Sequence, residues 1–150
     1  MMTIESSFGL LFKQIAIAFE NNLQREAARY DLTAAQASIL IYLAKADHPV
    51  NQRELEHYYH LSNPTVTGLM KRMEAKEFIR REISQEDNRS KHIILTPKAT
   101  EISSEVRANL NKVETEIVES IGPEACAQLR SLLTQVLQTM YHCPAEQKTE

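Results

Sequence analysis

Between Leu61 and Leu95 the chain changes period, and that change limits its possible folds more than any other feature of its 150 residues. The run Leu61-Ser62-Asn63-Pro64-Thr65-Val66-Thr67-Gly68-Leu69-Met70-Lys71-Arg72-Met73-Glu74 puts Val66, Leu69, Met70 and Met73 at steps of three and four. That spacing makes one apolar stripe on a helix, with Asn63, Thr65, Thr67, Gly68, Lys71 and Arg72 left for its other faces. Ser62 is placed to cap this helix, and Pro64 falls in its first turn, where a missing N–H costs nothing. The period then shortens. Ile79-Arg80-Arg81-Glu82-Ile83 alternates like a half-buried strand, Ser84 to Ser90 forms a charged turn, and Lys91 to Leu95 returns as the second strand.

A helix with a short polar leading end, followed at once by a basic hairpin, is the layout of a winged helix-turn-helix. Such a helix fits the DNA major groove, and the hairpin tip fits the neighbouring minor groove. The residues upstream complete the unit. Thr33-Ala34-Ala35-Gln36 has the spacing of a capping box and opens a helix to about Ala46, with Ile39, Leu40 and Leu43 inward. Asp47-His48-Pro49 stops it. Asn51-Gln52-Arg53-Glu54 opens a short helix by the same capping logic, and His60-Leu61-Ser62 is the turn before the reading helix.

Charge supports a localised face. The chain has 17 Lys/Arg and 20 Asp/Glu, a net −3 that argues against a generally basic nucleic-acid binder. From Leu61 to Thr100, however, eight Lys/Arg face five Asp/Glu, a local excess of positive charge on an otherwise acidic chain. The two cysteines, Cys126 and Cys143, are too few for a disulfide framework. With no signal peptide and no long apolar run, the expectation is a cytoplasmic, nucleoid-associated protein with no membrane partner. Gly-rich phosphate loops and nucleophile motifs are absent, so nothing points to an enzyme or a cofactor.

The ends of the chain carry more apolar surface than this core needs. Ile4, Phe8, Leu11, Phe12, Ile15, Phe19 and Leu23 form one stripe on a helix that runs to about Arg29. After Thr96-Pro97, Ile102, Val106, Leu110, Val113, Ile117 and Ile121 form another, broken by Gly122-Pro123. A last helix carries Leu129, Leu132, Leu133, Val136, Leu137 and Met140, before a polar tail from Pro144. Such stripes must be covered. The fold class expected is therefore mainly α with a small β-hairpin wing. Residues 1–150 form one domain, with a winged helix-turn-helix core at about 33–96 and dimerisation helices at about 4–30 and 97–143. A homodimer is expected, because helix-turn-helix proteins commonly read two half-sites about a two-fold axis.

This order resembles the MarR family of bacterial transcription regulators. The match is carried by Leu32-Thr33-x-x-Gln36-x-x-Ile39-Leu40, by Leu61-Ser62-x-x-Thr65-Val66-Thr67, and by Leu69-x-x-Arg72-Met73-Glu74-x-Lys76. Ile79-x-Arg81, Asp87-x-Arg89-x-Lys91 and Ile94-Leu95-Thr96-x-x-Ala99 extend it over nearly the whole chain. Two positions depart from the family. Gly68 stands where many members have a larger, often basic residue. Glu77 stands where glycine is usual, which suggests that the reading helix is capped differently.

The DNA-binding candidates are Ser62, Asn63, Thr65, Thr67, Lys71 and Arg72 on the helix, and Asp87, Arg89 and Lys91 on the wing. Short polar groups at a helix N-terminus approach bases and phosphates, and an Arg at the wing tip is drawn to the negative potential of a narrow minor groove. Asp87 would hold the Arg89 guanidinium or shape the turn. Arg80 and Arg81 would serve phosphates or point outward. The resemblance implies a repressor of a pseudo-palindromic operator in double-stranded DNA, released by a small aromatic or anionic effector. Phe12, Phe19, Tyr30 and Tyr42 are the available wall residues, although core packing explains them equally well. A constitutive regulator or activator without an effector, and a helical protein-interaction adaptor, are the alternatives. His57 and His60 have no acidic or cysteine partner at ligand spacing, so no metal site is expected. Redox-sensing members carry their reactive cysteine near the start of the first helix, where this chain has none.

Overall fold

The computed structural model describes residues 7–83 and 91–142. Their elements are α1 (Phe8–Ala28), α2 (Ala34–Lys45), β1 (Val50–Asn51), α3 (Gln52–Tyr59), α4 (Asn63–Ala75), β2 (Ile79–Ile83), β3 (Lys91–Leu95), α5 (Pro97–Ile121) and α6 (Pro123–His142). This is a mostly helical chain with a small antiparallel sheet. It divides into two compact units, Met1–Leu110 and Asn111–Glu150.

The core of the first unit is built from stripes that the spacing anticipates. Ile39 and Leu40 of α2, Leu55 of α3, and Val66, Met70 and Met73 of α4 are fully buried, with Phe78, Ile79, Ile93, Ala99 and Val106 around them. Fully burying each such side chain contributes roughly 1.5–3 kcal/mol. Thr33 caps α2 through a complete capping box with Gln36. Gln36 can be buried because its amide oxygen takes the Thr33 N–H at 3.0 Å. Asn51 caps α3 by accepting the Glu54 N–H at 3.1 Å. Thr96 caps α5 by accepting the Ala99 N–H on its hydroxyl oxygen at 3.3 Å.

The sheet has the order β1-β3-β2, all antiparallel. The two-residue β1 is too short to leave a periodic signature in the sequence. Ile93 lies opposite both Val50 and Arg81. Because opposed residues share a face, Ile79 and Arg81 lie on the core side and Arg80 and Glu82 on the other. The expectation that Arg81 serves phosphates or points outward is therefore corrected. Its guanidinium bonds Glu74 on α4 at 2.6 Å and sits half-buried.

One device ends three of the helices. Asp31 after α1, His60 after α3 and Glu77 after α4 all have positive φ, between 51° and 59°. In each case the next residue's N–H reaches back over the turn: Leu32 to the Ala27 carbonyl, Leu61 to Glu56 and Phe78 to Met73. The left-handed residue's own N–H takes a carbonyl three residues earlier: Ala28, His57 and Glu74 respectively. This is the Schellman motif, and the apolar residue that follows turns into the core. The departure at Glu77 thus does not change the cap. The chain keeps the glycine-type geometry with a residue that adopts it at a cost of roughly 1–2 kcal/mol. Ser62 also differs from expectation. It occupies the N-cap of α4 but makes no side-chain cap bond. Its hydroxyl pairs instead with that of Thr65 at 2.8 Å.

In the second unit, Gly122 (φ 84°) separates the last turn of α5 from α6. Only glycine reaches that φ without strain, and the Pro123 that follows sets the first turn of α6. Arg130 and Glu114 form an exposed ion pair at 3.5 Å. Along α6 the apolar stripe faces solvent: Leu129, Leu132, Leu133, Val136, Leu137 and Met140 are all exposed.

Candidate nucleic-acid interface

The site is assembled by α3, the turn at His60 and α4. Burial of Val66, Leu69, Met70 and Met73 fixes the roll of α4. That roll leaves Ser62, Asn63, Thr65, Lys71 and Arg72 exposed, with Thr67 half-buried. The leading end of the helix therefore presents short polar groups and free backbone N–H donors, beside two cations further along.

These polar groups are not independent. Asn63 donates from Nδ2 to the Glu56 carboxylate at 2.7 Å. Gln52 donates to the same Glu56 oxygen at 3.0 Å and to the Thr67 hydroxyl oxygen at 2.8 Å. A four-residue clasp thus ties α3 to α4 directly beneath the candidate reading face. Thr67 faces α3, with its hydroxyl proton still free to donate. Sequence spacing could not show this, because Gln52 and Glu56 lie on a different helix from the residues they hold.

Arg72 lines a cleft of about 550 Å³ with Gln24, Asp31, Gln36, Leu69 and Lys76 among its neighbours. Lys76 there is engaged by the carboxylate and the carbonyl oxygen of Asp31, both at 2.7 Å. The hydrogen bond from Lys76 holds the Asp31 carboxyl below its ordinary pKa. At Gly68 an added Cβ would lie 3.7 Å from the Arg72 guanidinium, an ordinary contact. Lys91, the first residue of β3, is exposed. Asp87 and Arg89 lie outside the described residues, as do Cys143 and the first turn expected around Ile4. On the ribbon, Arg80 pairs with Glu82 at 3.1 Å across the outer face. The Arg81 guanidinium holds the Glu74 carboxyl below its usual range.

The four aromatic candidates for an effector wall have separate surroundings. Phe12 stacks on Phe8 along exposed α1. Phe19 is exposed on the same helix. Tyr30 donates its hydroxyl to Glu105 of α5. Tyr42 packs against both Tyr58 and Tyr59 and donates to Glu54 at 2.6 Å. None of them lines the cleft beside Arg72.

Glu54 anchors a second titrating group. His48 donates to it at 2.8 Å and meets Asp47 at 3.1 Å. These two carboxylates, Asp47 first, raise the His48 pKa. The Glu54 hydrogen bond pushes the Tyr42 hydroxyl up to about 12. Burial alone would raise the Glu54 carboxyl, but the bonds from Tyr42 and His48 bring it below its ordinary value. This cluster braces the α2–α3 corner. His57 and His60 have ring centroids 6.4 Å apart, and no group of three metal-ligating side chains forms among the described residues. No helix among them is long and apolar enough to cross a membrane.

The sequence profile of the MarR family matches residues 32–91, which run from the approach to α2 to the start of β3. YwoH, an HTH-type transcriptional regulator of Bacillus subtilis (strain 168), is 30% identical over 122 residues, 81% of this chain and 86% of that protein. The transcription regulator MarR from Oenococcus oeni PSU-1 superposes with a TM-score of 0.73 at 27% identity, covering 88% of this chain and 99% of that one. S. aureus MepR, in its complex with DNA, superposes with a TM-score of 0.80 at 23% identity, covering 89% of this chain and 98% of that one. At that identity the MepR likeness bears on the fold.

Proposed function

The chain belongs to the MarR family of transcription regulators, and we propose that it acts as a homodimeric, ligand-responsive repressor of a pseudo-palindromic operator. The observation that carries the DNA-reading part is the roll of α4. Its four buried apolar residues leave an exposed, polar N-terminal end and two exposed cations, Lys71 and Arg72. Ser62, Asn63 and Thr65 then reach bases and phosphates, while Lys71, Arg72 and Lys91 neutralise phosphate charge. Asp87 and Arg89, which the sequence puts between β2 and β3, would add a contact in the minor groove. That the fold of MepR has been crystallised with DNA supports this reading.

Homodimerisation is supported by the apolar stripes on α1 and α6. Met140 is 71% exposed and Phe8 68%, and contiguous surface of this kind on a soluble protein marks an interface. A second copy would bring two α4 helices to half-sites about one helical turn apart.

For the effector, the α1–α4 cleft is the better-supported location than the dispersed aromatic residues. Arg72 is the cation it offers to a small anion, since Lys76 beside it is held by Asp31. Such a ligand releases DNA only by binding the DNA-incompetent state more tightly. The scattered surroundings of Phe12, Phe19, Tyr30 and Tyr42 favour the second reading, a constitutive regulator or activator without a small-molecule effector. Sequencing the genomic fragments retained by the purified protein tests the proposal. A two-fold symmetric site is expected, and small aromatic acids or other anions should elute it. Retention without sequence preference would contradict an operator, and elution by no compound in a broad panel would leave the constitutive regulator.

A further inference from the structure

We infer that Glu56 fixes which end of the Asn63 side-chain amide is offered to DNA, and so helps set the base preference of the reading head. This rests on the reading of α4 as the DNA-contacting helix.

Glu56 is half-buried on α3, and a single one of its oxygens takes both Asn63 Nδ2 and Gln52 Nε2. An ionised carboxylate only accepts hydrogen bonds, so the group facing it must be the amide nitrogen. The flipped amide would set its own carbonyl oxygen against a carboxylate oxygen with no proton between them. The chemistry thus fixes the orientation of a side chain that is otherwise free to rotate at the exposed start of α4. With Nδ2 turned back onto α3, the oxygen Oδ1 is left to pair outward. In the major groove that oxygen finds a donor at the exocyclic amine of adenine or cytosine. At guanine O6 or thymine O4 it meets another acceptor. Gln52 holds the carboxylate in place in turn, since its other amide hydrogen goes to Thr67. Glu56 touches no base in this account; it is a positioning residue that acts through Asn63.

The test is selection of randomised duplexes by the full-length protein, with sequencing of the bound pool. Ratios within that pool do not depend on the folded fraction, so a partly unfolded variant still reports. The wild type should select adenine or cytosine at one position of each half-site, and Asn63→Ala should lose that selection. Glu56→Ala should reduce the discrimination there by roughly tenfold, because the freed amide offers either end. Glu56→Gln can offer Asn63 either its acceptor oxygen or its donor nitrogen, so its discrimination should fall between that of the wild type and that of Glu56→Ala. Adding Glu56→Ala to Asn63→Ala should change nothing further at that position. Glu56→Ala selecting as sharply as wild type, while Asn63→Ala does not, would overturn the inference and leave the α4 reading standing. If Asn63→Ala keeps the full preference, Asn63 reads no base, and both the inference and Asn63's place on the reading face fail.

Discussion

Replacing Glu77 by glycine should make the protein more stable, although it deletes a side chain and adds no contact. Glu77 sits at φ 59°, where a residue with a Cβ is strained by roughly 1–2 kcal/mol. Glycine relieves that strain but brings a more flexible unfolded chain, which offsets roughly 0.4–1 kcal/mol. The backbone contacts survive the change. The Glu77 carbonyl still accepts the Thr96 hydroxyl at 2.8 Å, and the Schellman bonds involve only main-chain atoms. The net gain is about 0.5–1 kcal/mol, or about 1–4 °C in melting temperature for a chain of this length. Removing an acid from beyond a helix C-terminus is itself stabilising by roughly 0.3–1 kcal/mol, so Glu77→Ala is the control. Alanine removes the charge and keeps the strained φ. Thermal and urea unfolding at one fixed protein concentration should place Glu77→Gly above Glu77→Ala by about 0.5–1 kcal/mol. Equal stability of the two variants, or a loss on Glu77→Gly, would refute the argument that the backbone is strained there.

Four further outcomes are expected. His48 has a raised folded pKa, so its bonds to Asp47 and Glu54 stabilise the fold at pH below the unfolded value of 6.5 and lose that contribution as pH rises through the folded pKa. His48→Ala should accordingly lower the melting temperature at mildly acidic pH and leave it nearly unchanged at alkaline pH. Leu133→Glu on α6 should shift the oligomer to monomer in light scattering, because a carboxylate would be buried without a partner; a dimer of unchanged stability would argue that α6 lies outside the interface. Lys71→Ala should flatten the salt dependence of DNA binding by about one unit of slope per subunit. Arg81→Ala should leave that slope alone and reduce stability instead, since its guanidinium is held by Glu74.

How far the sequence could be read depended on whether the deciding partner was local. The stripes of α2 and α4, the caps at Thr33, Asn51 and Thr96, and the ribbon all follow from residues within one turn or one strand, and all are in the structure. The three left-handed helix ends were hidden because the usual marker, glycine, is missing from Asp31, His60 and Glu77. An apolar residue directly after each was the available signal. The site was less readable for a different reason. The roles of Thr67 and Arg81 are set by Gln52 and Glu74, which only folding brings to them. Two neighbouring arginines on a strand look alike in sequence, but strand alternation sends Arg80 to one face and Arg81 to the core face.

The most direct test of the central claim is a titration of operator-containing duplex at several salt concentrations. If α4 and the wing of two subunits neutralise phosphates with about three Lys/Arg each, counter-ion release gives a log–log slope of about −5. A steep slope of that order, with tighter binding to the operator than to a scrambled duplex, is the result expected. Affinity that stays flat with salt, or no binding to duplex DNA at all, would contradict the account.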